Sequence, residues 1–182
     1  MPLQFQCMAR ELEVARYILR RHKDEIEQEE VRSLSRLRQT ISPYSDYVSK
    51  LKSKVLEDLA PYRKEEKFLD AVEHILSHLS EIEAVDLPVQ YSLSFEEIEQ
   101  MKAASRIDKA LLATSLLRAV GSEDAACVSG NKYAAVKFAH MGENYALDVE
   151  NNSLLKGAEA DAFIQASEPK YIFNDLFFEF GK

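Results

Sequence analysis

Tryptophan is absent from this chain of 182 residues, cysteine occurs twice, and glycine and proline five times each. So little Gly and Pro leaves small scope for long flexible linkers, and nearly the whole chain is expected to be ordered. Cys7 and Cys127 stand in separate predicted elements, with no Cys-x-x-Cys pair and no Cys/His cluster beside them. That argues against a disulfide framework and against a zinc site, and it points to a reduced, cytoplasmic setting. No run approaches the roughly 18 consecutive apolar residues of a membrane span. The opening MPLQFQCMARELEVAR shows neither the apolar stretch nor the cleavage pattern of a signal peptide. Neither a membrane role nor a cofactor is expected.

A basic excess is missing too. The net charge is -8, and residues 51–100 hold five Lys and Arg against twelve Asp and Glu. Proteins that coat phosphate backbones need cations in excess on at least one face, so nucleic acid is not the expected partner. The local exception is Arg16, Arg20, Arg21 and Lys23, with Arg32, Arg36 and Arg38 a few turns on. These could form a basic stripe. The plainer reading is a solvated face paired at helical spacing with Glu13, Glu25, Glu27 and Glu29.

What the first half does contain is helical periodicity. Residues 10–41 carry no Gly or Pro; their apolar positions are Leu12, Ala15, Ile18 and Leu19, then Ile26, then Val31, Leu34, Leu37 and Ile41, the last set spaced as one helix face requires. Between them, residues 20–25 are charged all round, where a bend or interruption is expected. A helix of some thirty residues spans roughly 45 Å, enough to overreach a small bundle and offer a surface for a protein partner or a second copy of the chain. Ser42-Pro43 restarts the chain. Tyr47, Val48, Leu51, Val55, Leu56 and Leu59 mark a second amphipathic helix, and Phe68, Leu69, Val72, Ile75, Leu76 and Leu79 a third. Three such helices with short connections predict a helical bundle over residues 1–84. His74 and His78 are four apart on the third helix, but no third ligand accompanies them in sequence, so no metal is expected there.

The second half, residues 85–182, is predicted to be an α+β unit. Residues 84–91 lose the helical period and carry Pro88, and Ser94 with Glu97 forms a capping-box pattern before a short helix. The stretch from Asp108 to Val120 is apolar on every side and stops at Gly121. After it come AACV (125–128), AAVKF (134–138) and YALDV (145–149), separated by residues with turn chemistry at 129–131 and 140–144. A buried helix packed on a small antiparallel sheet is the economical reading. Residues 157–166 suggest one more short helix, and 171–173 with 176–180 a terminal strand or two.

LLATSLLRAVG (111–121), YAAVKF (133–138) and YALD (145–148) resemble, in order and spacing, the core of the transglutaminase-like domains of the papain-like fold. In that family a Cys at the head of the buried helix is the nucleophile, a His at the head of a strand is the base, and an Asp closing the next strand orients the His. The chemistry needs a thiolate stabilised by the helix N-terminus and by the imidazole. The resemblance places Arg106 at the cysteine position, Tyr133 at the histidine position and Asp148 at the aspartate. Ala135 stands where the family has Trp, and Ala103 and Ala104 where it has Gly. A guanidinium is no nucleophile, and a phenol with a reference pKa of about 10 is a poor base near neutrality.

The resemblance thus implies a degenerate site, and a non-catalytic binding or scaffolding protein. Because the helix macrodipole disfavours a cation at an N-terminus, Arg106 is expected to pair with Asp148, with the Tyr133 hydroxyl alongside, filling the former cleft. One alternative is a cysteine hydrolase or transferase with a displaced nucleophile, Cys127, and His140. Another is a nucleic-acid-associated protein using the Arg-rich first helix.

Overall fold

A computed structural model describes residues 3–28, 38–87, 91–130 and 133–181, with side chains of the first helix described over 8–26. The chain is α+β. Helix α1 (Leu3–Gln28) has non-helical angles at His22 (φ -122°, ψ 18°), inside the charged segment where an interruption is expected. It buries Val14, Ala15 and Ile18. The second half of the expected long helix, with Arg32 and Arg36, lies outside the described residues, as do Pro88 and Asn131.

Helix α2 (Asp46–Val55) starts at Ser45, whose hydroxyl accepts from Val48 N–H, and it is followed by a short 3-10 turn (Glu57–Leu59). Helix α3 (Lys64–Ser80) buries Phe68, Val72, Ile75 and Leu79 on one face. A two-residue strand β1 (Glu83–Ala84) pairs in parallel with β2 (Ala103–Ala104). Between them lies helix α4 (Phe95–Met101), which has the Ser94/Glu97 capping box. Then comes the central helix α5 (Arg106–Ala119), two residues longer at its head than the apolar run alone suggests, because Ser105 caps it. It ends at Gly121 (φ 111°), where Ser122 N–H reaches Leu117 O and Gly121 N–H reaches Arg118 O, the paired bonds of a glycine-terminated helix.

The sheet has six antiparallel strands in the order β6-β5-β4-β3-β7-β8. These are β3 (Ala126–Gly130), β4 (Ala134–His140), β5 (Glu143–Asp148), β6 (Ser153–Lys156), β7 (Pro169–Phe173) and β8 (Phe178–Phe180), with α6 (Ala158–Ala166) between β6 and β7. Strand β6 is an addition to the sequence reading. The β4–β5 turn is also tighter than the five residues first assigned to it. His140 and Glu143 are paired, and only Met141 and Gly142 turn, both at positive φ (51° and 81°), as a two-residue hairpin requires.

Helix α5 packs on β3 and β4 and also on α2 and α3. That enclosure is why it needs no polar face. Twelve of its residues are buried. The polar ones are satisfied locally or by long reach, Thr114 and Ser115 donating back to the carbonyls of Ala110 and Leu111. A single apolar cluster contains Val14, Val48, Phe68, Leu111, Leu116, Val136 and Phe173, so residues on both sides of position 84 share it. Among the described residues no helix is long and apolar enough to cross a membrane.

Candidate functional site at the head of the buried helix

Three chain segments meet at one end of α5. The β4–β5 register sets Ala135 opposite Asp148, so the beginning of β4 lies beside the end of β5. The first turn of α5 reaches the turn after β5 through the Arg106 side chain. Ser105 accepts from the Asp108 N–H (3.2 Å) and donates its hydroxyl to the Asp108 carboxylate (2.6 Å), which fixes the helix start.

Arg106, at the first helical position, is held by two carboxylates. Its Nε and Nη2 donate to the two oxygens of Glu150 at 2.9 and 2.8 Å, and Nη1 donates to Asp86. The forked pair with Glu150, together with Asp86, outweighs burial and pushes the guanidinium pKa further up. The expected compensation of the helix dipole is therefore present, but the expected partner is not. Asp148 does not pair with Arg106. Its carboxylate is occupied by the turn that follows β5, accepting from Glu150 N–H, Asn151 N–H and Asn151 Nδ2, the local closure typical of Asp in turns. Glu150, two residues further on, reaches the arginine instead. Tyr133 stands just before β4 and is exposed. Its carbonyl accepts from Gly130 N–H, and among the described residues no hydrogen bond joins its hydroxyl to Arg106 or Asp148.

Lys109 was not singled out by sequence reasoning. It lies one turn beyond Arg106, is 1% exposed, and donates to Ile82 O at 2.9 Å. Burial pushes its pKa down to about 8, against the opposing pull of the Asp148 carboxylate. Its signal in the sequence is a lone cation within IDKALLATSLL, a segment otherwise fit for a core.

Cys127 and His140 do not form a second site. Cys127, in β3, is fully buried, and burial pushes its thiol well above the ordinary value. It pairs across the ladder with Val136. His140 is four residues further along β4, about 13 Å away at the rise of a strand, with its ring against Phe68 (centroids 4.8 Å). As for metal ligation, His74 Nδ1 is bonded to Val55 O (2.8 Å), and among the described residues His78, Glu81 and Glu99 converge instead.

Two solved structures share this overall fold. LapG of Legionella pneumophila is 16% identical over 85% of this chain and 91% of that one, with a TM-score of 0.54. Its calcium-bound form is also 16% identical, over 82% and 88%, with a TM-score of 0.51. The fold is transglutaminase-like. LapG is itself a transglutaminase-like cysteine protease, and at this identity the likeness concerns the fold alone. No protein-family model matches the sequence, and no curated protein matches it either.

Proposed function

We propose that this chain is a non-catalytic binding or scaffolding protein built on a transglutaminase-like fold, with Arg106, Tyr133 and Asp148 as the relict of a catalytic cleft. The observation that carries this reading is the head of α5. Where the resemblance to transglutaminase-like domains puts a thiolate, a guanidinium is clamped by Glu150 and Asp86. A cation so held removes the nucleophile and closes the helix N-terminus with side-chain charge. The reading with Cys127 as displaced nucleophile lacks such support, because a thiol with a raised pKa and no access to solvent is neither ionised nor reachable.

Alkylation with iodoacetamide at pH 7.5, followed by mass spectrometry, tests this. Cys127 is expected to stay unmodified in the native chain and to react fully once the chain is unfolded in urea. Labelling of native Cys127 faster than that of the unfolded thiol would overturn the proposal.

The partner-binding surface we assign is α1. Met8, Leu12 and Leu19 are all exposed, and spacings of four and seven place them on one face of the helix. A protein partner or a second copy of the chain is the expected occupant. The basic-stripe alternative draws less support. Arg38 is committed to the carbonyls of Asn174 and Asp175, and Arg21 pairs with Glu97 at 3.5 Å. Sedimentation of the wild type against Leu12→Glu/Leu19→Glu measures the surface. An assembly present in the first and dissolved in the second is the expected result, and a chain that stays monomeric up to 100 μM, roughly the top of the range where weak pairs register, excludes self-association.

A further inference from the structure

The C-terminus of α3 and the C-terminus of α4 bring three ligand-type side chains to one place. His78 and Glu81 come from the last turn of α3 and its cap, and Glu99 from α4. One ligand atom from each lies within 4.8 Å of the other two. The histidine sets this cluster apart from an ordinary acidic patch. His78 is 7% exposed, and its Nε2 is buried with no hydrogen-bond partner. That nitrogen nevertheless sits 3.2 Å from Glu99 Oε2, close to a carboxylate but not aligned to donate to it.

A buried, unpaired ring nitrogen is costly unless a ligand serves it. A neutral imidazole offers one ring nitrogen as an acceptor, which suits it to a metal ion. The cation now in the cluster is Lys102, whose Nζ donates to Glu81 Oε2 (3.1 Å) and to Glu99 Oε1. It serves the carboxylates and leaves His78 unserved.

We propose that His78 Nε2 and the carboxylates of Glu81 and Glu99 bind a divalent transition-metal ion of the zinc class, with Lys102 as the cation it displaces. Imidazole with two carboxylates suits Zn²⁺, Co²⁺ or Mn²⁺ better than the all-oxygen preference of Ca²⁺ or Mg²⁺. Ligand bonds of about 2.0–2.2 Å require the three groups to draw in from their present spacing. Glu81 is free to do so, being half exposed on a flexible stem. Lys102, also partly exposed, swings out to water. Two carboxylates and a divalent ion leave the cluster neutral, whereas with lysine it carries one net negative charge. Three protein ligands leave a further position open. His78 and Glu81 also line a cavity of about 260 Å³ with Asp58, His74 and Ser77, from which water reaches the ion. The bound ion would cross-link α3 to α4, immediately ahead of β2 and the head of α5.

Calorimetric titration of the full chain with ZnCl₂ after chelator treatment tests this, with CoCl₂ as a spectroscopic probe. The expected result is one ion per chain, with visible cobalt absorption of a low-coordinate nitrogen–oxygen site. Glu81→Gln changes a largely solvent-exposed residue, so the variant should fold. It and His78→Gln are each expected to weaken binding by at least the about 10- to 100-fold that outer partners of metal ligands are worth. Lys102→Gln is expected to tighten it. Absence of binding to the wild type, or a zinc affinity that Glu81→Gln and Lys102→Gln both leave unchanged, overturns the proposal.

Discussion

Asp175→Ala is expected to destabilise the chain by about 3–5 kcal/mol, the cost of leaving a buried charge without its counter-ion. Arg118 sits in the last turn of α5 with its side chain 5% exposed. Its Nε and Nη2 donate to the two Asp175 oxygens at 2.8 and 3.1 Å, and Nη1 to Glu123 O. Removal of the carboxylate leaves a buried guanidinium with the Glu123 carbonyl as its remaining partner among the described residues. The neighbouring Asn174 makes the loss cooperative. It is fully buried, donates to Ala125 O (3.0 Å), and accepts from Leu176 and Phe177 N–H, so the segment joining β7 to β8 is tied to α5 by Asp175 and to the loop after α5 by Asn174. Urea unfolding of Asp175→Ala measures the cost. Arg118→Met/Asp175→Leu is the control. Removal of both charges with shape retained is expected to recover most of the loss, because a buried pair is weak in net terms and costly only when broken. A single variant within about 0.5 kcal/mol of wild type, the scatter of ordinary surface changes, would show that the pair is hydrated and that the segment is held by its backbone bonds.

The features legible in the sequence are those whose cause is local. Apolar residues at three- and four-residue spacing gave α2 and α3, Ser94 with Glu97 gave the cap of α4, and Gly121 marked the end of α5. An all-apolar helix followed by strand-like runs was enough for an α+β fold like that of LapG. Strand β6 was missed because SLLK is four residues long and shows no alternation to count. The amphipathic faces of the first half were visible, but not what they pack on. Both α2 and α3 lie against α5 as well as on each other, a fact of tertiary structure. The same limit applies at the site. That Arg106 needs an anion follows from its place on the helix, whereas the choice of Glu150 over Asp148 depends on a turn whose amides had already claimed Asp148. His78 could be paired in sequence only with His74, because Glu99 approaches from another helix.

Lys109 gives the site a pH signature that Lys109→Met should abolish. The folded pKa is pushed down to about 8 by burial, while an unfolded lysine titrates near 10.4. Below pH 8 both states are protonated, and the folded state bears the full penalty of a charge out of water, on the order of 3 kcal/mol. Between the two values the unfolded chain holds the proton and the folded chain does not. Unfolding then takes up a proton, and stability rises with pH. Roughly 2 kcal/mol should be recovered between pH 7 and 9.5. The tyrosines act in the opposite sense. Tyr47 and Tyr62 are pushed up in the folded state, chiefly by burial, so their contribution is lost only above the ordinary phenol value, which sets pH 9.5 as the upper limit. Lys109→Met keeps the apolar stem and removes the ammonium, and every other titration is common to both chains. The quantity to follow is therefore the difference between the two urea-unfolding profiles. A gap that narrows steadily from pH 7 to 9.5 locates the cost at Lys109. Parallel profiles would mean that water reaches its ammonium, and that the head of α5 is an open cleft.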